Sequence, residues 1–199
     1  MVTDSIVKNR IPNQIKARKN WSFSLLEGGL PQGALIEMSG LPGHGKTEVV
    51  LKFLSENSQL RVAWVEENLT IYPCAFPQNQ VSLNRVLFVE TPRYLWAVQQ
   101  ILRSQIFGVI VLSTAIEEEI VLRRLQLAAE QAQSSVILLC NLPKKEGTWP
   151  ISVQLQIQRC PQTQVPLIKI LKYRGERKGD PKEEPKGDQR CEPLFAFSS

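Results

Sequence analysis

The chain has 199 residues, 43% of them hydrophobic and 22% charged, an ordinary globular composition with enough residues for one domain and a full core. No apolar run approaches the ~18 to 20 residues of a membrane span, and the polar, basic stretch Met1 to Asn20 lacks the apolar centre of a secretory signal, so a cytoplasmic protein with no membrane partner is expected. The net charge of +5 is uneven: residues 1–20 carry five Lys/Arg against one acid and residues 169–190 eight against five, so both ends are basic and the body slightly acidic, as suits a phosphate backbone, an acidic protein or solvent alone.

Taken in chain order, a basic arm (1–20) leads into a core (21–173) in which strands alternate with helices, the pattern of an α/β domain with a mostly parallel sheet covered on both faces. Strand-like runs fall at 34–39, 61–66, 85–89, 108–113 and 134–140, and helical periodicity at 46–57, 92–105 and 115–133. Thr91-Pro92 reads as N-cap and first-turn pair of the second helix, and Glu117, Glu118 and Glu119 as the acidic first turn of the third. Residues 151–159 and 164–172, joined by a turn at Cys160 to Thr163, form an antiparallel hairpin closing one edge. After Tyr173 the composition turns to charge, Gly and Pro with an apolar tip at Leu194 to Phe197, so 174–199 is expected to be a disordered tail.

Between the first strand and first helix, Gly40-Leu41-Pro42-Gly43-His44-Gly45-Lys46-Thr47 fits the phosphate-loop template G-x-x-x-x-G-K-[ST] at every fixed position. Glycines let the backbone wrap a polyphosphate, Lys46 reaches the β- and γ-phosphates, and the Thr47 hydroxyl is offered to Mg²⁺. The predicted site therefore takes a nucleotide with Mg²⁺.

Hydrolysis asks for more: a carboxylate to order the metal and a group to orient water. Glu66 and Glu67 end the second strand at the carboxyl edge of the sheet, where side chains face the ligand crevice, and either is a candidate base. The fourth strand, Val109 to Leu112, has the apolar run that precedes a magnesium-ordering aspartate, yet Ser113 and Thr114 follow. Ser113 reaches a metal-bound water without supplying charge. Cys74, Cys140, Cys160 and Cys191 have neither C-x-x-C spacing nor histidine partners, since His44 is the one histidine, so no structural zinc is expected. Cys140 closes an apolar run and reads as a small buried hydrophobe.

The block Leu25 to Gly40, with Gly28-Gly29-Leu30-Pro31-Gln32-Gly33 before a strand holding Glu37, resembles the opening of the RecA recombinase core. Val62-Ala63-Trp64-Val65, Ile71-Tyr72-Pro73, Leu95 to Ser104 and Leu171 to Gly175 are similar to recurrent stretches of the ImuA family, RecA-like and also described as SulA-like, which are accessory proteins of translesion synthesis. The resemblance runs from about Trp21 to Gly175. It implies a RecA-like P-loop NTPase core in a single domain, with nucleotide held by Gly40 to Thr47, Tyr72 stacking on the base, and Glu66 or Glu67 acting on water.

Departures from the RecA pattern are equally specific. The metal-ordering aspartate falls on Ser113, and the Asn-Gln pair after the fifth strand is Asn141-Leu142 here. A helix at 115–133 leaves no room for the first DNA-binding loop, and the second is reduced to Asn141 to Pro150 with Lys144, Lys145 and Trp149 as candidate DNA contacts. The resemblance implies an ATP-binding accessory protein of DNA damage repair with weak or no hydrolysis, partnered by an ImuB-type polymerase-like protein or another translesion polymerase, by RecA and by DNA. Two alternatives stand beside it, an active DNA-linked ATPase using Glu66 or Glu67 and a SulA-like inhibitor of cell division.

Overall fold

A computed structural model describes residues 19–142 and 149–173. The expected arm up to residue 18, the tail and its apolar tip, with Lys144 and Lys145, lie outside the described residues, while the last residue of the expected arm, Asn20, belongs to a strand. Two short strands, β1 (Asn20–Trp21) and β2 (Leu30–Pro31), pair antiparallel ahead of the core. There follow β3 (Leu35–Ser39), α1 (Lys46–Glu56), β4 (Val62–Glu66), α2 (Ala75–Gln78), β5 (Val86–Glu90), α3 (Tyr94–Ser104), β6 (Val109–Leu112), α4 (Glu119–Ala132), β7 (Ser135–Cys140), β8 (Val153–Arg159) and β9 (Pro166–Tyr173).

Seven strands form one sheet in the order β5-β4-β6-β7-β3-β8-β9. Every neighbouring pair is parallel except β8 with β9, the hairpin that closes one edge. The α/β class, the flanking helices and the C-terminal hairpin all match the sequence reading.

Strand alternation divides the apolar residues between two cores. On one face Ile36 and Met38 meet Val49, Val50, Phe53 and Leu54 of α1, the residues whose helical spacing announces that helix. On the other, Leu35, Ala63 and Ile110 meet Val98, Leu102, Leu122 and Leu125 of α3 and α4. Trp64 and Phe76 make an edge-to-face pair at 5.7 Å, and Phe76 makes another with Phe88 at 5.1 Å, so α2 exists chiefly to seat Phe76.

Two helix starts differ from expectation. Thr91 Oγ1 accepts the Arg93 N–H at 3.1 Å, which makes Thr91 and Pro92 a turn; the helix is capped at Arg93 and begins at Tyr94. Ile116 is buried in the α3/α4 core and holds 113–118 outside the next helix. Glu118 is the extended N-cap residue, so of the three acids only Glu119 lies in the first turn of α4.

The end of α1 carries no basic residue of its own. Arg85 supplies that charge from a 3-10 turn at Leu83–Arg85, donating to the carbonyls of Leu54 at 2.7 Å and of Asn57 and Leu60 at 3.0 Å each. The last described strand meets the turn between β1 and β2: Tyr173 Oη donates to the Gly29 carbonyl at 3.2 Å, and Asn20 Nδ2 of β1 donates to the Gly28 carbonyl at 2.7 Å.

Candidate phosphate-loop site

The loop from Gly40 to Gly45 connects the interior strand β3, between β7 and β8, to α1, and its two template glycines are required by what surrounds them. A Cβ on Gly40 would lie 2.3 Å from the Ile157 carbonyl of β8, and one on Gly45 would lie 2.7 Å from Pro166 Cγ at the start of β9. Gly45 also sits at φ 92°, a conformation that side chains rarely adopt. As N-cap of α1 it offers no side-chain acceptor, so the first N–H groups of the helix have no side-chain cap, an arrangement suited to an anion. Leu41, Pro42 and Gly43 are exposed at the loop's crest, with His44 and Thr47 half-buried behind them.

Lys46 folds back beneath this loop. Its Nζ donates to the carbonyls of Gly40 and, at 3.0 Å, Cys140, and to Asn141 Oδ1 at 3.1 Å. Burial lowers its pKa from the ordinary 10.5, partly opposed by Cys140. A partly buried ammonium held by neutral oxygens gains from a nearby anion, so the donor set fits a phosphate.

A cleft of about 750 Å³ opens over the loop, bringing Lys46, Thr47, Thr70, Ser113, Asn141 and Arg159 to one place. A second cavity of about 550 Å³ shares Lys46, Ser113 and Asn141 and continues to buried Glu37, whose Oε1 accepts the Gln154 Nε2–H at 3.4 Å. Ser113 is exposed between the two, its backbone N–H donating to Val65 O at 3.1 Å, and presents a hydroxyl where the sequence led one to look for an acid. Thr47 and Ser113 are the hydroxyls that would share a Mg²⁺ ion and its water.

Glu66 is buried; Oε1 accepts the Trp64 indole N–H at 2.8 Å, while Oε2 accepts the Thr70 N–H at 2.5 Å and its hydroxyl at 3.1 Å. Thr70 lines the cleft and Glu66 stands behind it. Glu67 is exposed and does not line the cleft. Tyr72 is 64% exposed and also outside the lining, its phenol raised above its ordinary pKa by a hydrogen bond with Cys74. Trp149 stacks under the Arg123 guanidinium at 5.2 Å, beside a smaller cavity along α4.

One charged group at the cleft has no local signal in the sequence. Arg159 comes from the end of β8, 116 residues beyond Gly43, and donates from Nε to the Gly43 carbonyl at 2.9 Å. The parallel pairing of β8 beside β3 brings it there.

No protein-family model matches the sequence, and no curated protein matches it. Among solved structures the RadB recombinase is similar, with a TM-score of 0.57 and 16% identity over 76% of this chain and 86% of that one. The fold is RecA-like. At that identity the likeness extends to the P-loop architecture alone. No helix among the described residues is long and apolar enough to cross a membrane.

Proposed function

We propose that this chain is a nucleoside-triphosphate-binding RecA-like accessory protein of the DNA damage response, of ImuA type, that recruits or regulates a translesion polymerase complex with slow or no hydrolysis. The observation that carries the reading is a complete phosphate loop facing a serine. Lys46 and the uncapped N–H groups of α1 hold the polyphosphate, Thr47 takes Mg²⁺, and Ser113 touches the metal's water shell. Thr47 and Ser113 would hold a Mg²⁺ ion there, which would supply positive charge against the phosphates. With no carboxylate at Ser113 to retain the metal, and with Glu66 already accepting three hydrogen bonds, binding outlasts turnover.

ATP then acts by stabilising one conformation of the loop and hairpin through mass action. In this reading the partners are an ImuB-type polymerase-like protein or another translesion polymerase, RecA, and DNA reached through Trp149 and the neighbouring Lys144 and Lys145. Likeness to a recombinase fold supports the DNA link.

Calorimetric titration of wild type and Lys46→Ala with ATP and Mg²⁺, with turnover measured on the same samples, tests it. Binding that needs Lys46, without turnover above background, is expected; no affinity for any nucleoside triphosphate removes the proposal. One observation favours an active ATPase instead: Thr70 links Glu66 to the cleft. Turnover abolished by Glu66→Gln or Glu67→Gln establishes that reading.

A further inference from the structure

The β8–β9 hairpin reaches the phosphate loop from outside. Arg159 donates from Nε to the Gly43 carbonyl at 2.9 Å, from Nη2 to Glu48 Oε2 at 3.1 Å, and from Nη1 to the Gln164 carbonyl in the turn. Pro166 packs over Gly45, where a Cβ would stand 3.2 Å from Arg159 Nη2. Because that Cβ is absent, the guanidinium lies directly against the loop.

Charge at the cleft is simply arranged. Among the described residues lining it, Lys46 and Arg159 are the cations and Glu48 is the acid. Glu48 occupies the first turn of α1, where the helix dipole favours an anion, and pairs with the cation that faces the same end. The two side chains are 29% and 40% exposed, so their attraction is screened and weak. A polyphosphate brings more negative charge to the same helix end and accepts two parallel N–H bonds from a planar guanidinium, a geometry in which arginine excels. Exchange of Glu48 for phosphate therefore favours the phosphate.

We infer that Arg159 is the second phosphate-binding cation of this site and that Glu48 is its internal competitor: a bound triphosphate takes the Nη2 edge that Glu48 otherwise holds. This rests on the nucleotide-binding reading above. It assigns to the hairpin edge a charge that no template position supplies.

Titration calorimetry with Mg²⁺-ATP on the full chain tests it with wild type, Arg159→Ala, Arg159→Lys, Glu48→Gln and the double variant Glu48→Gln/Arg159→Ala. Loss of a charge-assisted contact is expected to weaken Arg159→Ala by about 10-fold, with Arg159→Lys between it and wild type. Removing the competitor is expected to tighten Glu48→Gln by about 3-fold. The double variant should bind like Arg159→Ala alone, since Glu48 acts only through that side chain. A brace that merely shapes the loop predicts the opposite sign for Glu48→Gln, and weaker binding there overturns the inference. So does Arg159→Ala binding like wild type. Should Arg159→Ala lose its cooperative melt, the sign of the Glu48→Gln effect decides alone. If folded wild type fails to bind Mg²⁺-ATP, both the nucleotide reading and this one are overturned; if wild type binds and Arg159→Ala matches it, only the role of Arg159 falls.

Discussion

Lys46 Nζ and Asn141 Oδ1 meet at 3.1 Å, joining the first residue of α1 to the residue that follows β7. That contact ties the phosphate loop to the segment that follows β7. The next residue, Leu142, is exposed and offers no second amide.

The ammonium of Lys46 is the first quantity to test. Burial lowers its pKa below 10.5, so the folded chain releases this proton more readily than the unfolded one. A phosphate favours the charged form, so ATP affinity is expected to be full near neutrality and to fall as pH rises through the lowered value. Fold stability takes the other sign: the cost of burying the charge is present at low pH and relieved as the pH rises toward 10.5. Calorimetry from neutral pH up to 10.5 should show the decline in wild type and a flat profile in Lys46→Arg, whose guanidinium stays charged. A flat wild-type profile would remove Lys46 from the phosphate contacts.

Ser113→Asp supplies the missing carboxylate at an exposed position of the cleft, where the new charge faces solvent and metal. Affinity for ATP measured with and without Mg²⁺ is expected to diverge, the ratio growing by about 5-fold over wild type as a hard oxygen ligand is gained. An unchanged ratio would mean that Ser113 does not face the metal.

Glu66→Gln probes a different balance. Both carboxylate oxygens accept, one from Trp64 and one from Thr70, so an amide in the same space must turn its NH₂ toward an N–H. One buried donor then loses its partner, at a cost of about 1 to 3 kcal/mol. Urea denaturation should show that loss, and it must be subtracted before any fall in activity is credited to chemistry. No change in midpoint would mean that these hydrogen bonds contribute little.

Arg85→Ala leaves three carbonyls at the end of α1 without their charged donor. Destabilisation of about 2 to 3 kcal/mol is expected, near 2 to 4 °C of melting temperature per kcal/mol for a chain of this size. Nucleotide affinity should stay within about 2-fold, because the phosphate loop lies at the other end of a helix about 16 Å long. Arg85→Lys should recover part of the stability, since a single ammonium cannot serve all three oxygens.

Much of the fold was legible because burial on both sides leaves continuous apolar strands: Val109 to Leu112 and Ser135 to Cys140 announce themselves in this way. The phosphate loop was legible because its chemistry is local, fixed by eight adjacent residues. Helix starts were less so, since Ile116 fits a helical pattern equally well and only its burial in the α3/α4 core keeps it outside α4. β1 and β2 are two residues each and carry no periodicity, and α2 is a single turn whose purpose appears only when Phe76 meets Trp64. Arg159 had no signal at all: its role comes from a register of strands that no spacing encodes.

The Tyr173 hydroxyl resting on the Gly29 carbonyl closes the domain on itself, its last described strand fastened to the turn that joins the first two. Opening at that corner is therefore expected to be shared, so that amide exchange in β1 and in the end of β9 should proceed at matching rates. Anything that grips the chain beyond Tyr173 pulls on the entrance to the fold as well as on its exit.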